Sequence, residues 1–456
     1  MAFVSKQVDS IEQHRRMINT PIPNLILRMA IPTVATQLIT VVYNTADTYF
    51  VSQLDSNSAS GAVGVVFSLM AIIQALGFGI GMGANSLIST SLGEKKDDLA
   101  ARYGNSAFIA AIVMGFVLLA GGLTFLKPLM RLLGATDTIL PYACNYSVYI
   151  LLGAPVMCSS FVLTSILRGE GKATLSMLGL CTGGILNIVL DPLLIFGAGM
   201  DIAGAALATL ISQCVSFTIL LCFFIFKKSN IRLAPVYISR QPFIYINIIK
   251  RGFPTICRQG MSSVASALLN IGAGNVGGDA AIAAMTVANK IYTLVRNVIV
   301  GLGQGFQPVA GYNFGAGKND RVKKAFWFTT ALGTGVCLVA AVGLFPFAEQ
   351  AIHLFRDDPV VVEIGKNALR FSCIVLPTMA YATYVNQMYQ CLGYSAIASL
   401  LASCRQGIFF IPAVVILPHI VGITGIEAAQ PLSDLCTAVF SIYFQIRFFK
   451  NVLNKK

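Results

Sequence analysis

Residues 25–55 read LILRMAIPTVATQLITVVYNTADTYFVSQLD, an apolar run followed by a carboxylate, Asp47. The stretch from Leu25 to Ala46 is long enough to cross the ~30 Å hydrocarbon core of a bilayer as one helix. A carboxylate near the end of such a helix is costly and is usually kept for a function. The stretch therefore predicts a membrane-spanning helix with a functional aspartate.

The rest of the chain has the same apolar character. Of its 456 residues, 56% are hydrophobic and only 11% are charged, which leaves too little polar surface for a soluble domain. Twelve stretches are long and apolar enough to span a bilayer. They are residues 24–50, 60–85, 104–127, 138–166, 173–197, 203–226, 245–272, 280–306, 325–348, 360–392, 396–420 and 426–449. We therefore predict an all-α integral membrane protein with twelve transmembrane helices.

The charges indicate how the chain is oriented in the membrane. The net charge is +13, and the basic residues concentrate in alternate loops, at 95–102, 168–172, 227–240 and 318–324. The other loops carry acids: Asp55, Asp137, Asp201, Asp279, Asp357 and Asp358. This is the positive-inside pattern, so the basic excess indicates topology and not a nucleic-acid partner. We expect both termini in the cytoplasm, an uncleaved first span, and a bacterial inner-membrane location.

The two halves of the chain resemble each other weakly. Matching residues recur at a spacing of 221 to 224. The pairs are Pro32 and Pro254, Gln37 and Gln259, Pro155 and Pro377, Gly171 and Gly393, Gly204 and Gly425, and Gly77, Gly79, Gly81 and Gly93 with Gly301, Gly303, Gly305 and Gly317. Because each half has six spans, both enter the membrane in the same direction, which predicts two pseudo-symmetric six-helix bundles. Transporters are commonly built this way, although a channel or an intramembrane enzyme could be too.

The repeat divides the chain into five predicted segments. These are a cytoplasmic segment 1–23, an N-lobe 24–226, a linker 227–244, a C-lobe 245–449 and a cytoplasmic tail 450–456. Pro32 and Pro254 interrupt the first helix of each lobe, as static kinks or as bending points that change during transport. Two glycine-rich stretches, residues 77–86 and 301–318, lie in apolar spans and lack a Walker lysine-serine pair. We therefore interpret them as helix-packing positions and not as nucleotide-binding sites.

Polar residues of the N-lobe are expected at one depth, in the outer half of the bilayer. Asp191 lies about 27 Å along its helix at ~1.5 Å per residue, and Asp47 is late in an outward-running helix. Asn187 is one turn before Asp191 on the same face. Thr209 and Tyr146 lie near the outer ends of their spans. Such a group can exchange a proton or hold a desolvated cation, although the aspartates could instead reach lipid headgroups separately.

Four stretches in this order resemble the multidrug and toxic compound extrusion (MATE) family, nearest its bacterial DinF-like, MepA-like branch: PIPNLILRMAIPT…YNTADTYFV, ILRGEGKA, LNIVLDPLLIFG…GAALAT and GLGQGFQPVAGYNFGAGKNDRVKKA. The resemblance implies twelve helices in two lobes and efflux of organic compounds driven by H⁺ or Na⁺. It implies a cation site at Asp47, Asn187, Asp191 and Thr209, with Tyr146 beside it. Another branch uses acids of the C-lobe, but the repeat counterparts of Asp47 and Asp191 here are Leu269 and residues 412–413.

The C-lobe carries buried basic residues instead. Arg258, Lys290 and Arg296 fall within its first two spans. An uncompensated charge near the midplane costs at least ~2.5 kcal/mol, so we expect Lys290 to pair with Asp434. A cationic wall facing anionic or zwitterionic cargo is the other interpretation. Further candidate cavity residues are Gln37, Met157, Phe161, Met177, Gln259 and Gln304.

We therefore expect a monomeric antiporter that exports small organic compounds, needs no cofactor or metal beyond transported H⁺ or Na⁺, and is not an enzyme. The runner-up within transport is an exporter or flippase of native metabolites, lipid-linked precursors or anionic cargo. An intramembrane enzyme would need a nucleophile with a base beside it, and His14, His353 and His419 are far apart in the sequence.

Overall fold

The structure, a computed structural model, describes residues 2–53 and 57–454, and for residues 2–10, 52 and 57–60 it describes the backbone alone. Asp55, one of the predicted outer acids, and residues 455–456 of the predicted tail lie outside the described residues. The described chain forms helices and no strand. The helices are α1 Ala2–Asn19, α2 Ile22–Ser52, α3 Asn57–Gly93, α4 Asp97–Thr124, α5 Leu126–Leu132, α6 Leu140–Gly169, α7 Ala173–Pro192, α8 Asp201–Ile225, α9 Pro242–Gly315, α10 Asn319–Leu344, α11 Ala348–His353, α12 Pro359–Cys391, α13 Ser395–Ser403, α14 Phe410–Val421 and α15 Ile423–Phe448.

The long helices account for the twelve predicted spans. Eight spans contain an apolar stretch long enough to cross a membrane: α2, α3, α4, α6, α7 with the π-helical turn Leu193–Gly197, α8, α10, and α13 with α14. The other four are α12, α15 and the two parts of α9, which breaks at Gly278 (φ 60°, ψ −153°). These four carry charged residues along their length. Together these helices confirm the prediction of an all-helical, twelve-span membrane protein. Helices suit a membrane because each one satisfies its backbone hydrogen-bonding groups internally.

The backbone repeats its turns in the two halves. Lys95, Gly171 and Gly199 have φ of 60°, 83° and 63°. Gly317, Gly393 and Gly422 lie at the corresponding positions of the second half and have φ of 71°, 92° and 62°. Such left-handed positions are favoured by glycine because it lacks a Cβ. Their recurrence at nearly one interval places equivalent turns at equivalent points of each bundle.

Two equivalent glycines allow the same close approach. A Cβ on Gly204 of α8 would lie 2.7 Å from the backbone carbonyl of Leu194, and one on Gly425 of α15 would lie 2.5 Å from that of Leu417. Contacts of that length do not occur between unstrained atoms, so only glycine fits. The glycine matches of the repeat therefore have a packing cause.

One part of the repeat has a different offset from the one we predicted. Gly81 on α3 faces Ser165 of α6, and Gly303 on α9 faces Gln387 of α12. The interval from Gly81 to Gly303 equals the interval from Ser165 to Gln387, so Gly81 corresponds to Gly303. The sequence had paired Gly303 with Gly79 and, at the same offset, Gly317 with Gly93, whereas the left-handed turn of Gly317 corresponds to that of Lys95. Glycines recur every two residues here, so two neighbouring offsets fit the sequence letters equally well.

The chain forms two compact units, residues 1–19 with 31–252 and residues 20–30 with 253–456. The chain passes from one unit to the other three times: between Asn19 and Thr20, within α2 and within α9. The two crossing points inside helices lie beside Pro32 and Pro254. Pro32 lies inside an uninterrupted α2, and the Thr36 hydroxyl donates to its carbonyl oxygen at 2.9 Å.

A buried carboxylate at the end of α6 holds the linker in the first unit. Glu170 accepts hydrogen bonds from the backbone N–H groups of Asn230 and Ile231 at 2.9 and 3.0 Å and from the Ser229 hydroxyl. The Asn105 side chain accepts a bond from the Ala234 N–H at 2.8 Å. These bonds satisfy linker backbone groups that belong to no long helix.

Candidate functional site

Five polar residues of the first unit lie together among α2, α6, α7 and α8. Asp47 is on α2, Tyr146 on α6, Asn187 and Asp191 on α7, and Thr209 on α8. All five are buried, with exposed fractions between 0 and 5%. Asp191 is within electrostatic range of Asp47, and Tyr146 is within range of both carboxylates. The structure thus brings the predicted cation-site residues into one cluster.

Hydrogen bonds order the α7 side of this cluster. The Asn187 amide nitrogen donates to Asp191 Oδ1 at 3.0 Å and approaches Thr209 Oγ1 at 3.5 Å. The first bond follows from the helix itself, since residues four apart lie one above the other on one face. Both donor hydrogens of the Asn187 amide are directed at oxygen atoms, which turns its own carbonyl oxygen to the other side.

Three buried carboxyl and amide oxygen atoms of the cluster have no hydrogen-bond partner in the part of the chain that the structure describes. They are Asp47 Oδ1, Asn187 Oδ1 and Asp191 Oδ2. A buried acceptor without a partner costs about 1–3 kcal/mol, and more when it is charged. Three such acceptors on neighbouring side chains form an oxygen-rich site that suits a proton or a hard cation.

Small residues let the helices around this cluster approach one another. A Cβ on Gly184 of α7 would lie 2.9 Å from Ile39 and 3.3 Å from Tyr43 of α2, and one on Gly183 would lie 2.7 Å from Ser216 of α8. Helices that approach through glycine bring their polar side chains within reach of each other. The glycines of α7 therefore help set the distance between Asp47 and Asp191.

The predicted cargo residues lie in two different places. Gln37 on α2 and Met177 on α7 are half-buried in the first unit. Arg258 and Gln259 are half-buried and Gln304 is buried on α9 of the second unit, whereas Lys290 is exposed. Met157 and Phe161 of α6 are buried, and Phe161 stacks on Phe78 at 4.2 Å between ring centroids. These two residues pack in the helical core.

The predicted pair between Lys290 and Asp434 is wrong. Asp434 is 1% exposed and pairs with Arg405 at 2.7 Å between Oδ1 and Nε. It also accepts hydrogen bonds from the Tyr292 hydroxyl and, at 2.9 Å, from the Gln430 amide. Residues 290 and 292 are separated by roughly 200° around a helix, so when Tyr292 faces Asp434, Lys290 faces away.

Sequence reasoning missed Arg405, Tyr292 and Gln430. Arg405 lies in a π-helical turn, Cys404–Ile408, directly after a stretch without charges, and its partner is 29 residues away. Gln430 was recognisable, because it lies four residues before Asp434 on one helix face, as Asn187 does before Asp191. Tyr43 was also missed, although it is one turn before Asp47 and within electrostatic range of it.

Comparison with known proteins identifies relatives over nearly the whole chain. The family model MatE matches twice, over residues 32–193 and 254–416, and the two matches begin at Pro32 and Pro254, which the repeat pairs. The multidrug export protein MepA of Staphylococcus saprophyticus is 26% identical over 419 residues, 91% of each chain. An FAD transporter of Shewanella oneidensis is 26% identical over 448 residues, 96% of this chain and 97% of that one.

A solved structure gives the same likeness in three dimensions. It is described as the outward-facing conformation of a multidrug resistance MATE family transporter of the MOP superfamily. It superposes with a TM-score of 0.92 at 26% identity and covers 97% of this chain and 98% of its own.

Proposed function

The chain belongs to the MATE family of membrane transporters, and from that premise we propose that it is an antiporter that exports small organic compounds by alternating access, driven by inward movement of H⁺ or Na⁺. The proposed coupling residues are Asp47 and Asp191, with Asn187, Thr209 and Tyr146 supporting them. Pro32 is the proposed bending point. The protein is not an enzyme.

The observation that carries this proposal is the set of buried oxygens without partners on Asp47, Asn187 and Asp191. Two buried carboxylates within electrostatic range cannot both stay ionised without a nearby positive charge. A proton or a sodium ion supplies that charge, and Thr209 Oγ1 adds a fourth oxygen. Cation binding therefore changes the relative free energies of the conformations that bury or expose this site. A coupled transporter requires such a link between ion binding and conformation.

Pro32 supports alternating access as a second step. It lies beside the point at which α2 passes from one unit to the other. A proline in a helix removes one backbone hydrogen bond and allows bending there. We propose that α2 changes its bend at Pro32 as the cation site fills and empties.

Small organic compounds are the proposed cargo, because both the MepA relative and the solved structure are described by multidrug export or resistance. Gln37, Met177, Gln259 and Gln304 are the proposed cargo contacts. A second candidate is export of an anionic metabolite. It is favoured by the half-buried Arg258 and Arg296, and one relative of similar identity is described as an FAD transporter.

We further propose that the protein is a monomer in the bacterial inner membrane with both termini in the cytoplasm. The basic clusters in the loops that share a side with the termini support this orientation. Accessibility of single introduced cysteines to an impermeant thiol reagent, from inside or outside sealed vesicles, tests it.

The deciding experiment is transport by purified protein in proteoliposomes. A fluorescent cationic dye is loaded, and an inward proton gradient or an inward sodium gradient is imposed separately. The gradient that accelerates dye efflux identifies the coupling ion. Asp47→Asn keeps the shape of the side chain and removes its charge, so gradient-driven efflux should fall to the level of protein-free vesicles.

Asp201→Asn is the matched control, since Asp201 is exposed at the start of α8 in the same unit. It should transport at the normal rate. Full gradient-driven efflux by well-folded Asp47→Asn protein would refute the assignment of the cation site.

A further inference from the structure

The second unit contains a polar cavity of about 100 Å³ between the two parts of α9, the π-helical turn Cys404–Ile408, and helices α14 and α15. Its wall carries hydroxyl, amide and guanidinium groups. Those that matter here are Ser262, Ser266, Asn289, Thr293, Arg296 and Gln406. A cavity with this lining in an apolar bundle is built to receive a polar group.

Positive charge exceeds negative charge around this cavity. Arg296 borders it, and Arg258 and Arg405 lie within electrostatic range of Arg296 and of each other. Arg405 is held by Asp434. In the part of the chain that the structure describes, neither Arg258 nor Arg296 forms an ion pair, so two guanidinium groups remain uncompensated.

Asp434 offsets only part of this positive charge, because it is a single negative charge near three arginines and its ion pair is formed with Arg405. The Arg405 guanidinium, the Tyr292 hydroxyl and the Gln430 amide all donate to it. Arg405 also donates to the Tyr292 hydroxyl. Asp434 therefore holds Arg405 and positions Tyr292 at the cavity wall, and it forms no ion pair with Arg296.

The repeat reinforces the contrast in charge. Leu269 borders the cavity, and it follows Asp47 by the same interval at which Pro254 follows Pro32. Leu269 is therefore the repeat counterpart of the proposed coupling aspartate. The first unit has a carboxylate at this position, and the second unit has an apolar side chain with arginines nearby. The second unit therefore lacks a carboxylate for a cation site at the position equivalent to Asp47. The arginines near Leu269 favour an anion there instead.

The size of the cavity limits what it can hold. Pockets for drug-sized ligands occupy roughly 300–1,000 Å³, several times this volume. A carboxylate or a phosphate group is small enough, and guanidinium groups bind both through paired, charge-assisted hydrogen bonds. Hydroxyl and amide donors such as Ser262 and Asn289 can satisfy the remaining oxygen atoms.

We propose that this cavity is an oxyanion-binding site, with Arg296 as the principal ligand, Arg258 as the second cation, and Ser262, Asn289 and Gln406 as neutral donors. The anion is either a free phosphate or the carboxylate or phosphate end of a larger organic molecule. The inference rests on the proposed function only in treating such an organic anion as cargo, since binding itself requires no ion coupling.

Binding is tested on detergent-purified full-length protein by isothermal titration with three probes: phenyl phosphate, inorganic phosphate and the cation tetraphenylphosphonium. Wild-type protein should bind phenyl phosphate saturably. Arg296→Gln should weaken that binding about tenfold or more, because it removes charge-assisted hydrogen bonds, and should leave tetraphenylphosphonium binding unchanged. Arg296→Lys keeps the charge without the planar fork and should give an intermediate affinity.

Arg370→Gln is the matched control. Arg370 is also a half-buried arginine of the second unit, but its guanidinium packs over Phe345 at 5.5 Å from the ring centroid. This variant makes the same change in net charge and should bind phenyl phosphate normally. A melting curve for each variant shows that it is folded.

Inorganic phosphate separates the two sources of the anion. If inorganic phosphate competes with phenyl phosphate at similar concentration, the cavity binds a free oxyanion. If phenyl phosphate alone binds, the cavity binds the end group of an organic anion. Both results support the site. Absence of saturable binding by both anions overturns the proposal, and so does an equal loss in Arg296→Gln and Arg370→Gln. Asp47→Asn protein should retain anion binding, so failure of ion coupling and failure of this site give different results.

Discussion

Replacing Asp434 by leucine should destabilise the second unit strongly, because the Asp434 carboxylate is the acceptor for three donors that are largely shielded from solvent. It pairs with Arg405 at 2.7 Å and accepts hydrogen bonds from Tyr292 and Gln430. The Asp434 side chain is 1% exposed and the Arg405 side chain 15%. The substitution Asp434→Leu removes the negative charge and leaves the Arg405 guanidinium without its ion-pair partner.

The expected magnitude follows from what is left behind. An uncompensated buried charge costs about 3–5 kcal/mol, and residual exposure of Arg405 places this case at about 3. The Gln430 amide, which loses its acceptor, adds roughly 1 kcal/mol. The double change Arg405→Met with Asp434→Leu removes both charges and leaves two neutral donors, so its cost should be about 1–3 kcal/mol. The Tyr292 hydroxyl also contacts the Met379 sulfur at 3.0 Å, which limits that cost.

The free cysteines provide the assay. Cys158, Cys337 and Cys391 are among the buried thiols, so a thiol-reactive fluorogenic dye labels them as the protein unfolds on heating. At roughly 2–4 °C per kcal/mol for a unit of about 200 residues, Asp434→Leu should lower the apparent melting temperature by on the order of 10 °C. The double variant should recover about half of that loss.

Lys366→Met is the control for this experiment. Lys366 pairs with Glu349 at 3.2 Å, but the two side chains are 25% and 54% exposed, so the pair contributes at most about 1 kcal/mol. The reasoning is refuted if Asp434→Leu melts no lower than Lys366→Met. It is equally refuted if the double variant is no more stable than Asp434→Leu alone.

Three further changes have defined outcomes. Pro32→Ala adds a backbone donor that favours a straight helix, so the maximal efflux rate should fall several-fold with KM unchanged; an unchanged rate would return Pro32 to a static role. Gly204→Ala places a Cβ 2.7 Å from a backbone carbonyl and should cost about 1–3 kcal/mol in melting experiments, whereas Gly121→Ala, which meets no atom within 4 Å, should be neutral or slightly stabilising; equal melting of the two would contradict the packing argument. Glu170→Ala removes the acceptor of the linker N–H groups and should speed limited proteolysis of the linker, while the same change at the exposed Asp137 should not; equal cleavage rates would contradict the role given to Glu170.

The spans and the repeat were accessible from the sequence for a local reason. A helix in lipid must be about 20 apolar residues long wherever it lies in the fold, so hydropathy predicts it without knowledge of its neighbours. The four spans of the second unit that carry charges, in α9, α12 and α15, were still recognised by length. The exact repeat offset near Gly303 was not, because closely spaced glycines match equally well at two offsets.

The candidate cation site was predictable in composition and not in geometry. The cost of a carboxylate in an apolar span singles out Asp47 and Asp191, and the helical period pairs Asn187 with Asp191. Neither rule says that α2 and α7 are neighbours. That contact depends on Gly184, whose lack of a side chain lets Tyr43 approach, and it becomes visible once the helices are packed.

The ion pair of Asp434 is the clearest case in which the sequence alone was insufficient. The sequence by itself indicated that Asp434 has a cationic partner, because leaving a buried carboxylate unpaired is costly. The sequence did not determine which basic residue is the partner. In the tertiary structure the partner is Arg405 and not Lys290. The partner of a buried charge depends on which faces of packed helices meet. Side chains two residues apart on a helix, such as those of Lys290 and Tyr292, point to nearly opposite faces. Helix rotation is set by the packing of whole helices against one another, which the sequence around a single residue does not specify.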